Sequence, residues 1–172
     1  MKRLTLMRHA DAQWKDPEVA DFARPLNRRG HAEAEAMARR LIELALIPDL
    51  IVTSSARRAA QTAEIILQEL SLLPRTIRYE EALYLGGAQD ILKGVRNIGP
   101  RVLHLMIIGH NPGISEAAHL LVPDREMEGL STAALCTITF ETDQWSAVAP
   151  SLVRESMRES PPSPTGLFSL FA

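Results

Sequence analysis

The strongest constraint on this chain is its alternation of short unbroken apolar runs with longer stretches whose apolar residues recur at helical spacing. Leu4-Thr5-Leu6-Met7, Leu50-Ile51-Val52-Thr53, Val102–Ile108 and Ala134–Phe140 are short runs with almost no charge. Such runs read as strands buried on both faces. From Arg28 to Leu46 the apolar positions Ala34, Met37, Ala38, Leu41 and Ala45 follow a helical period, and Pro48 marks the stop. A second stripe runs through Ala59, Ala63, Ile66, Leu67 and Leu70, with Ser54 or Ser55 available as its cap. A brief strand is expected at Thr76–Tyr79, and a third helix carries Ile91, Leu92 and Val95. A fourth carries Ile114, Ala117, Ala118 and Leu121, with Pro112 suited to its first turn. Doubly buried strands alternating with helices predict an α/β three-layer sandwich, in which helices cover both faces of a mostly parallel sheet. One domain is expected over residues 1–159, followed by a Pro-rich tail from 160 to 172 whose Leu167–Phe171 stretch packs back on it.

The polar residues gather where the strands end. Leu4–Met7 runs directly into Arg8-His9-Ala10, and Val102–Ile108 into Gly109-His110-Asn111-Pro112-Gly113. Between them lies Ser54-Ser55-Ala56-Arg57-Arg58-Ala59-Ala60-Gln61-Thr62, at the junction of a strand and a helix. Open α/β sheets bind ligands at the carboxyl ends of their parallel strands. Two histidines and several arginines there suit a phosphoryl group. A neutral imidazole serves as nucleophile, and its ordinary pKa leaves it largely neutral at pH 7. Arginine spreads a planar, permanently charged fork over the phosphoryl oxygens. These demands are met without a metal or other cofactor.

Composition narrows the function classes. A formal net charge of -2 argues against general nucleic-acid binding. The single cysteine, Cys136, excludes an intrachain disulfide framework and a thiolate zinc site, and its apolar neighbours mark it as a core residue. No apolar stretch approaches the length of a signal-peptide core or a membrane helix, so the cytoplasm is the expected location.

Taken in order, Arg8-His9-Ala10, Arg24-Pro25-Leu26-Asn27-Arg28-Arg29-Gly30, Ser54–Thr62 and Gly109–Gly113 resemble the histidine phosphatase superfamily. The short chain and the Arg-Pro-Leu segment look like its bacterial phosphohistidine phosphatases of the SixA type. The resemblance implies a phosphoglycerate mutase-like fold and a phosphohydrolase. It implies that His9 is transiently phosphorylated and that Arg8, Arg58 and His110 bind and stabilise the phosphoryl group. It departs from larger members where Asp11-Ala12-Gln13-Trp14 stands in place of an asparagine that contacts phosphate.

The superfamily often supplies a general acid from the loop after the third motif, where Glu80 and Glu81 stand. Glu81 fits the Glu-x-Leu-Tyr pattern better, although both also read as solvated loop carboxylates. Arg24 either touches substrate or anchors its loop through Asp21 or Asp16. Arg57 reads as a surface neighbour of Arg58, and His31, His104 and His119 read as structural. The short spacing between motifs leaves little room for a cap over the pocket. That favours phosphohistidine on a partner protein, such as a histidine phosphotransfer domain. The alternatives are a small phosphorylated metabolite and a phospho-binding module without turnover.

Overall fold

The computed structural model describes residues 1–123 and 128–163. Beyond Ser163 the tail, including Leu167–Phe171, lies outside the described residues. Six strands form one sheet: β1 (Lys2–Arg8), β2 (Leu50–Ser54), β3 (Ile77–Glu80), β4 (His104–Gly109), β5 (Leu135–Phe140) and β6 (Val153–Glu159). Four α-helices among the described residues connect them: α1 (Arg28–Glu43), α2 (Arg57–Glu69), α3 (Ala88–Arg96) and α4 (Gly113–Leu121). The strand order is β3-β2-β4-β1-β5-β6. The first four strands run parallel, while β5 is antiparallel to β1 and β6 to β5.

Strand alternation divides the core in two. Leu4, Leu6, Leu105, Ile107, Cys136 and Ile138 face α3 and α4. Met7, Met106, Ile108, Ile51 and Leu135 face α1 and α2. The result is the expected three-layer sandwich. The register that matters for the site is Arg8 opposite Gly109. It puts the next residue of each strand, His9 and His110, side by side at the carboxyl end of the two central strands.

Several local expectations change. Helix α1 ends at Glu43 because Ala45 adopts φ 53°. The Ala45 and Leu46 N–H groups then close onto the carbonyls of Ile42 and Leu41, a left-handed cap made without glycine. Helix α2 starts at Arg57 with no side-chain cap, because Ser54 is still in β2 and Ser55 does not cap it. Pro112 precedes α4 as its N-cap residue rather than occupying its first turn. Strand β6 was not expected, since Val-Arg-Glu-Ser-Met-Arg-Glu lacks an apolar alternation. It lies at the sheet edge, half-exposed, where charged residues are tolerated and protect against edge-to-edge pairing. Its Glu159 accepts a two-pronged ion pair from Arg40 of α1.

Candidate active site

Strands β1, β2 and β4 deliver Arg8-His9, the start of α2 and His110 to one cavity of ≈ 330 Å³. His9 is 8% exposed. Its Nδ1 lies 2.7 Å from the carbonyl of Ala10, so Nδ1 carries the proton and donates it there. The lone pair is therefore on Nε2, which faces the Arg58 Nε–H at 3.3 Å. Burial pushes the His9 pKa down to about 3, helped by the charges of His110, Arg58 and Arg8 and opposed by the Ala10 hydrogen bond. At neutral pH His9 is an uncharged base with its nucleophilic nitrogen turned into the cavity.

The His110 ring stands 5.0 Å from that of His9. Its Nε2 is 2.8 Å from Ser54 Oγ. Ser54 Oγ also accepts the Ala56 N–H, and its second lone pair or its proton serves His110 Nε2 according to the His110 tautomer. Burial, followed by the Arg58 charge, lowers the His110 pKa to about 4. His110 is thus neutral at pH 7, and its Nδ1 is buried without a partner among the described residues, as is Arg8 Nε. Both residues line the cavity. Arg8 is steadied by donating through Nη1 to the Leu130 carbonyl, which also accepts from Asn111.

The motif around Arg58 also holds the site together. Thr62, four residues along the same helix face, donates to the Arg58 carbonyl and accepts the Ala10 N–H. Gln61 accepts the Leu26 N–H. Asn27 caps α1 and also donates to the Asp11 carboxylate and the Ala12 carbonyl. Gly30 follows from that packing: a Cβ there would sit 1.9 Å from the Asp11 carbonyl oxygen. Buried Glu33 accepts from the Asp11 N–H, Arg29 and Thr132.

Asp21 and Tyr84 were assigned no role from the sequence as catalytic-site partners. The Asp21 backbone carbonyl accepts from Arg58 Nη1 at 2.8 Å. Its Oδ2 accepts from Arg58 Nη2 at 3.1 Å and from the Tyr84 hydroxyl at 2.6 Å. Its Oδ1 accepts from Arg24 Nε at 3.0 Å. These bonds, the Tyr84 hydroxyl foremost, hold the Asp21 carboxyl down to about 2 despite some burial. Tyr84 also meets the His110 ring edge-on at 5.5 Å. The sequence offered Asp21 only as one of two anchors for Arg24, not as a partner of Arg58; Tyr84 lay in the Glu-x-Leu-Tyr pattern quoted only for its glutamate.

The other sequence candidates fall as follows. Arg24 lines the cavity and is anchored by Asp21 and the Gln13 carbonyl. Glu81 is exposed in a short 3-10 turn and does not line the cavity. Arg57, His31 and His119 are exposed on helices. His104 sits at the opposite end of the sheet, buried against Thr5 and the Ile47 carbonyl. No group of three or more histidine, cysteine, aspartate or glutamate residues is arranged to hold a metal among the described residues. No described helix is long and apolar enough to cross a membrane.

A pH profile follows from the buried imidazoles. After correction for the ionisation of the substrate, kcat/KM stays flat from pH 7 to pH 5, because free His9 titrates near 3. A nucleophile with an ordinary histidine pKa would lose about thirtyfold over the same range; an acid limb between pH 6 and 7 would refute the assigned His9 environment. Stability moves in the same sense. His9, His104 and His110 titrate near 3, 4 and 4 when folded and near 6.5 when unfolded. The unfolded chain binds more protons in that window, so the melting temperature falls as pH drops below 6.5.

Comparison with known proteins gives a consistent answer. Residues 4–84 match the histidine phosphatase superfamily, branch 1. An uncharacterised chloroplast protein of Arabidopsis thaliana is 31% identical over 128 residues, 70% of this chain. The chain spans 59% of that relative's length. A structure assigned as the phosphohistidine phosphatase SixA of Agrobacterium tumefaciens superimposes with a TM-score of 0.76 at 28% identity, covering 81% of this chain and 92% of that one. The protein histidine phosphatase SixA in complex with tungstate shares the fold, with a TM-score of 0.73 at 23% identity over 96% of this chain and 99% of that one.

Proposed function

The chain belongs to the histidine phosphatase superfamily, and on that premise we propose that it removes phosphoryl groups from phosphohistidine on a partner protein through a phospho-His9 intermediate. One observation carries the reading: Arg8, Arg58 and His110 line one cavity with His9, and the Arg58 Nε–H points at the His9 lone pair. A transferring phosphoryl group has three equatorial oxygens and needs charge and hydrogen bonds on each of them.

In the first step His9 Nε2 attacks phosphorus and the bond from phosphorus to the leaving nitrogen breaks. The electron pair stays on that nitrogen, which takes a proton from water. In the second step water attacks phospho-His9, loses a proton to solvent and releases inorganic phosphate, returning the lone pair to Nε2. The donors act throughout without themselves changing charge.

The choice of leaving group rests on the carboxylates. An alkoxide needs an acid, whose contribution is about 10²–10⁴ in rate. The Asp21 carboxyl in the cavity titrates near 2 and is ionised at neutral pH, so it holds no proton to give. Glu81 is exposed outside the cavity lining. The P–N bond of phosphohistidine is labile enough to break without such an acid. A small-metabolite phosphomonoesterase is the second reading, and it requires Glu81 or another donor to supply the proton.

The test compares kcat/KM for a histidine-phosphorylated protein with that for an alkyl phosphate, in wild type and in Glu81→Gln. We expect the phosphoprotein to be favoured by about 10²-fold or more, with Glu81→Gln leaving it unchanged. Faster turnover of the alkyl phosphate, lost in Glu81→Gln, would install the metabolite reading instead. Tight binding of the phosphoprotein without release of phosphate would indicate a binding module.

A further inference from the structure

Directly after His9 the chain turns through the peptide between Ala10 and Asp11, and both polar groups of that peptide are engaged. Its carbonyl accepts the His9 Nδ1 proton at 2.7 Å. Its N–H donates at 3.0 Å to Oε2 of Glu33 on α1. The Glu33 carboxylate is therefore one peptide unit away from the ring of the nucleophile. It is 1% exposed, and its Oε1 accepts from Arg29 Nε at 3.0 Å and from Thr132 Oγ1 at 3.1 Å. Three donors aimed at two oxygens suit an ionised carboxylate. Burial raises the Glu33 pKa, and these three donors oppose the rise.

Satisfying one backbone N–H needs no charge, and a buried carboxylate costs far more to desolvate than an amide or hydroxyl that would serve. A fixed charge is useful where charge develops. When His9 Nε2 bonds to phosphorus the Nδ1 proton stays in place, so the ring becomes an imidazolium. We infer that Glu33 is a positioning residue for phosphoryl transfer, holding the Ala10–Asp11 peptide so that its carbonyl orients His9 and stabilises the charge that forms on the ring. The inference rests on the reading of His9 as nucleophile and not on the choice of substrate.

A carboxylate on the amide N–H polarises the peptide and makes its carbonyl a stronger acceptor, since hydrogen bonds in a chain reinforce one another. As the ring gains charge during attack, the bond from Nδ1–H to the Ala10 carbonyl strengthens without the proton moving. In the second step the leaving group is a neutral imidazole, because Nδ1 has kept its proton. The surroundings of Glu33 fix the same turn. The Asn27 N–H donates to the Asp11 carbonyl, and Gly30 allows α1 to pack against it. On the other side, Thr132 adjoins Ala133, whose N–H donates to the His9 carbonyl. Asp11 and Thr132 both line the cavity, so Glu33 joins its two walls from behind.

Three variants of the full chain separate this role from a purely structural one. With p-nitrophenyl phosphate, Glu33→Ala is expected to lower kcat by about 10–10²-fold, the cost of a small displacement of a reacting group, while KM stays within about threefold. In Glu33→Gln the amide oxygen can take the Asp11 N–H and the amide nitrogen can donate to Thr132. Its kcat falls between those of wild type and Glu33→Ala, because orientation returns and charge does not. Arg29→Ala breaks the same ion pair from its exposed end and keeps kcat within about twofold. The NMR signal of the His9 Nδ1 proton reads the contact directly, even where Glu33→Ala folds poorly. It moves upfield in Glu33→Gln as its acceptor weakens, and stays in place in Arg29→Ala.

Wild-type kcat in a folded Glu33→Ala, a loss carried by KM alone, or an equal loss in Arg29→Ala would overturn the inference. So would an unshifted Nδ1 proton in Glu33→Gln. None of these outcomes touches the reading of His9 as nucleophile, which falls instead if His9→Gln keeps its activity.

Discussion

His9→Gln lowers kcat/KM by at least about 10⁴-fold on any phosphorylated substrate, and phosphate is no longer trapped on the protein. Glutamine approximates the size and one hydrogen bond of the imidazole but has no nucleophilic nitrogen. The wild type, mixed rapidly with labelled phosphohistidine substrate and quenched in alkali, yields alkali-stable, acid-labile phosphate on the peptide containing His9. The side chain has no structural duty that would confuse the result. Its one strong bond runs to the carbonyl of the adjacent Ala10, while the backbone around it is held by Gly109, Ala133 and Thr62. The melting temperature of His9→Gln accordingly matches or exceeds that of wild type, since a buried imidazole with a depressed pKa costs stability in acid. Trapped phosphate in His9→Gln would refute the nucleophile, and a small loss of rate would refute the covalent route.

Arg58→Ala is expected to lower kcat by about 10²–10³-fold, the usual cost of removing one preorganised donor from a site of developing charge. Two effects add here. The Nε–H aimed at the His9 lone pair disappears, and with it a charge over one phosphoryl oxygen. Asp21 also loses both of its bonds from the guanidinium, leaving its carboxylate on Arg24 and Tyr84 alone at the cavity wall. With Arg24 as its one remaining ion-pair partner the carboxylate repels the incoming phosphoryl dianion more strongly, so affinity for inorganic oxyanions such as tungstate falls as well. Arg58→Lys keeps the charge but not the fork, and should recover less than half of the lost free energy. Full rescue by lysine would mean that Arg58 contributes field alone and that its geometry with Asp21 is irrelevant.

Much of this site follows from local pattern. Apolar runs at 4–7 and 104–108 end in Arg8-His9 and in Gly109-His110, so any parallel pairing of those strands brings the two histidines to the same rim. Arg58 falls in the first turn of an amphipathic helix that begins where a strand has just ended. Strand β6 escaped detection because an edge strand at half exposure needs no apolar alternation. Ser54 invited reading as a helix cap, which a serine before a helix usually is, yet its hydroxyl is hydrogen-bonded to His110 Nε2.

What the sequence by itself determined is the helices, the strands other than β6 and the residues at their ends, because hydrophobic periodicity and helix punctuation are written over a few neighbouring positions. The partners of those residues were decided only by tertiary structure. Asp21 reaches Arg58 across 37 residues and Tyr84 across 63, and Ser54 meets His110 across 56. A polar residue in a loop carries no periodic mark of its eventual partner. The strand register and loop path that bring such residues within hydrogen-bond distance follow from packing the whole core.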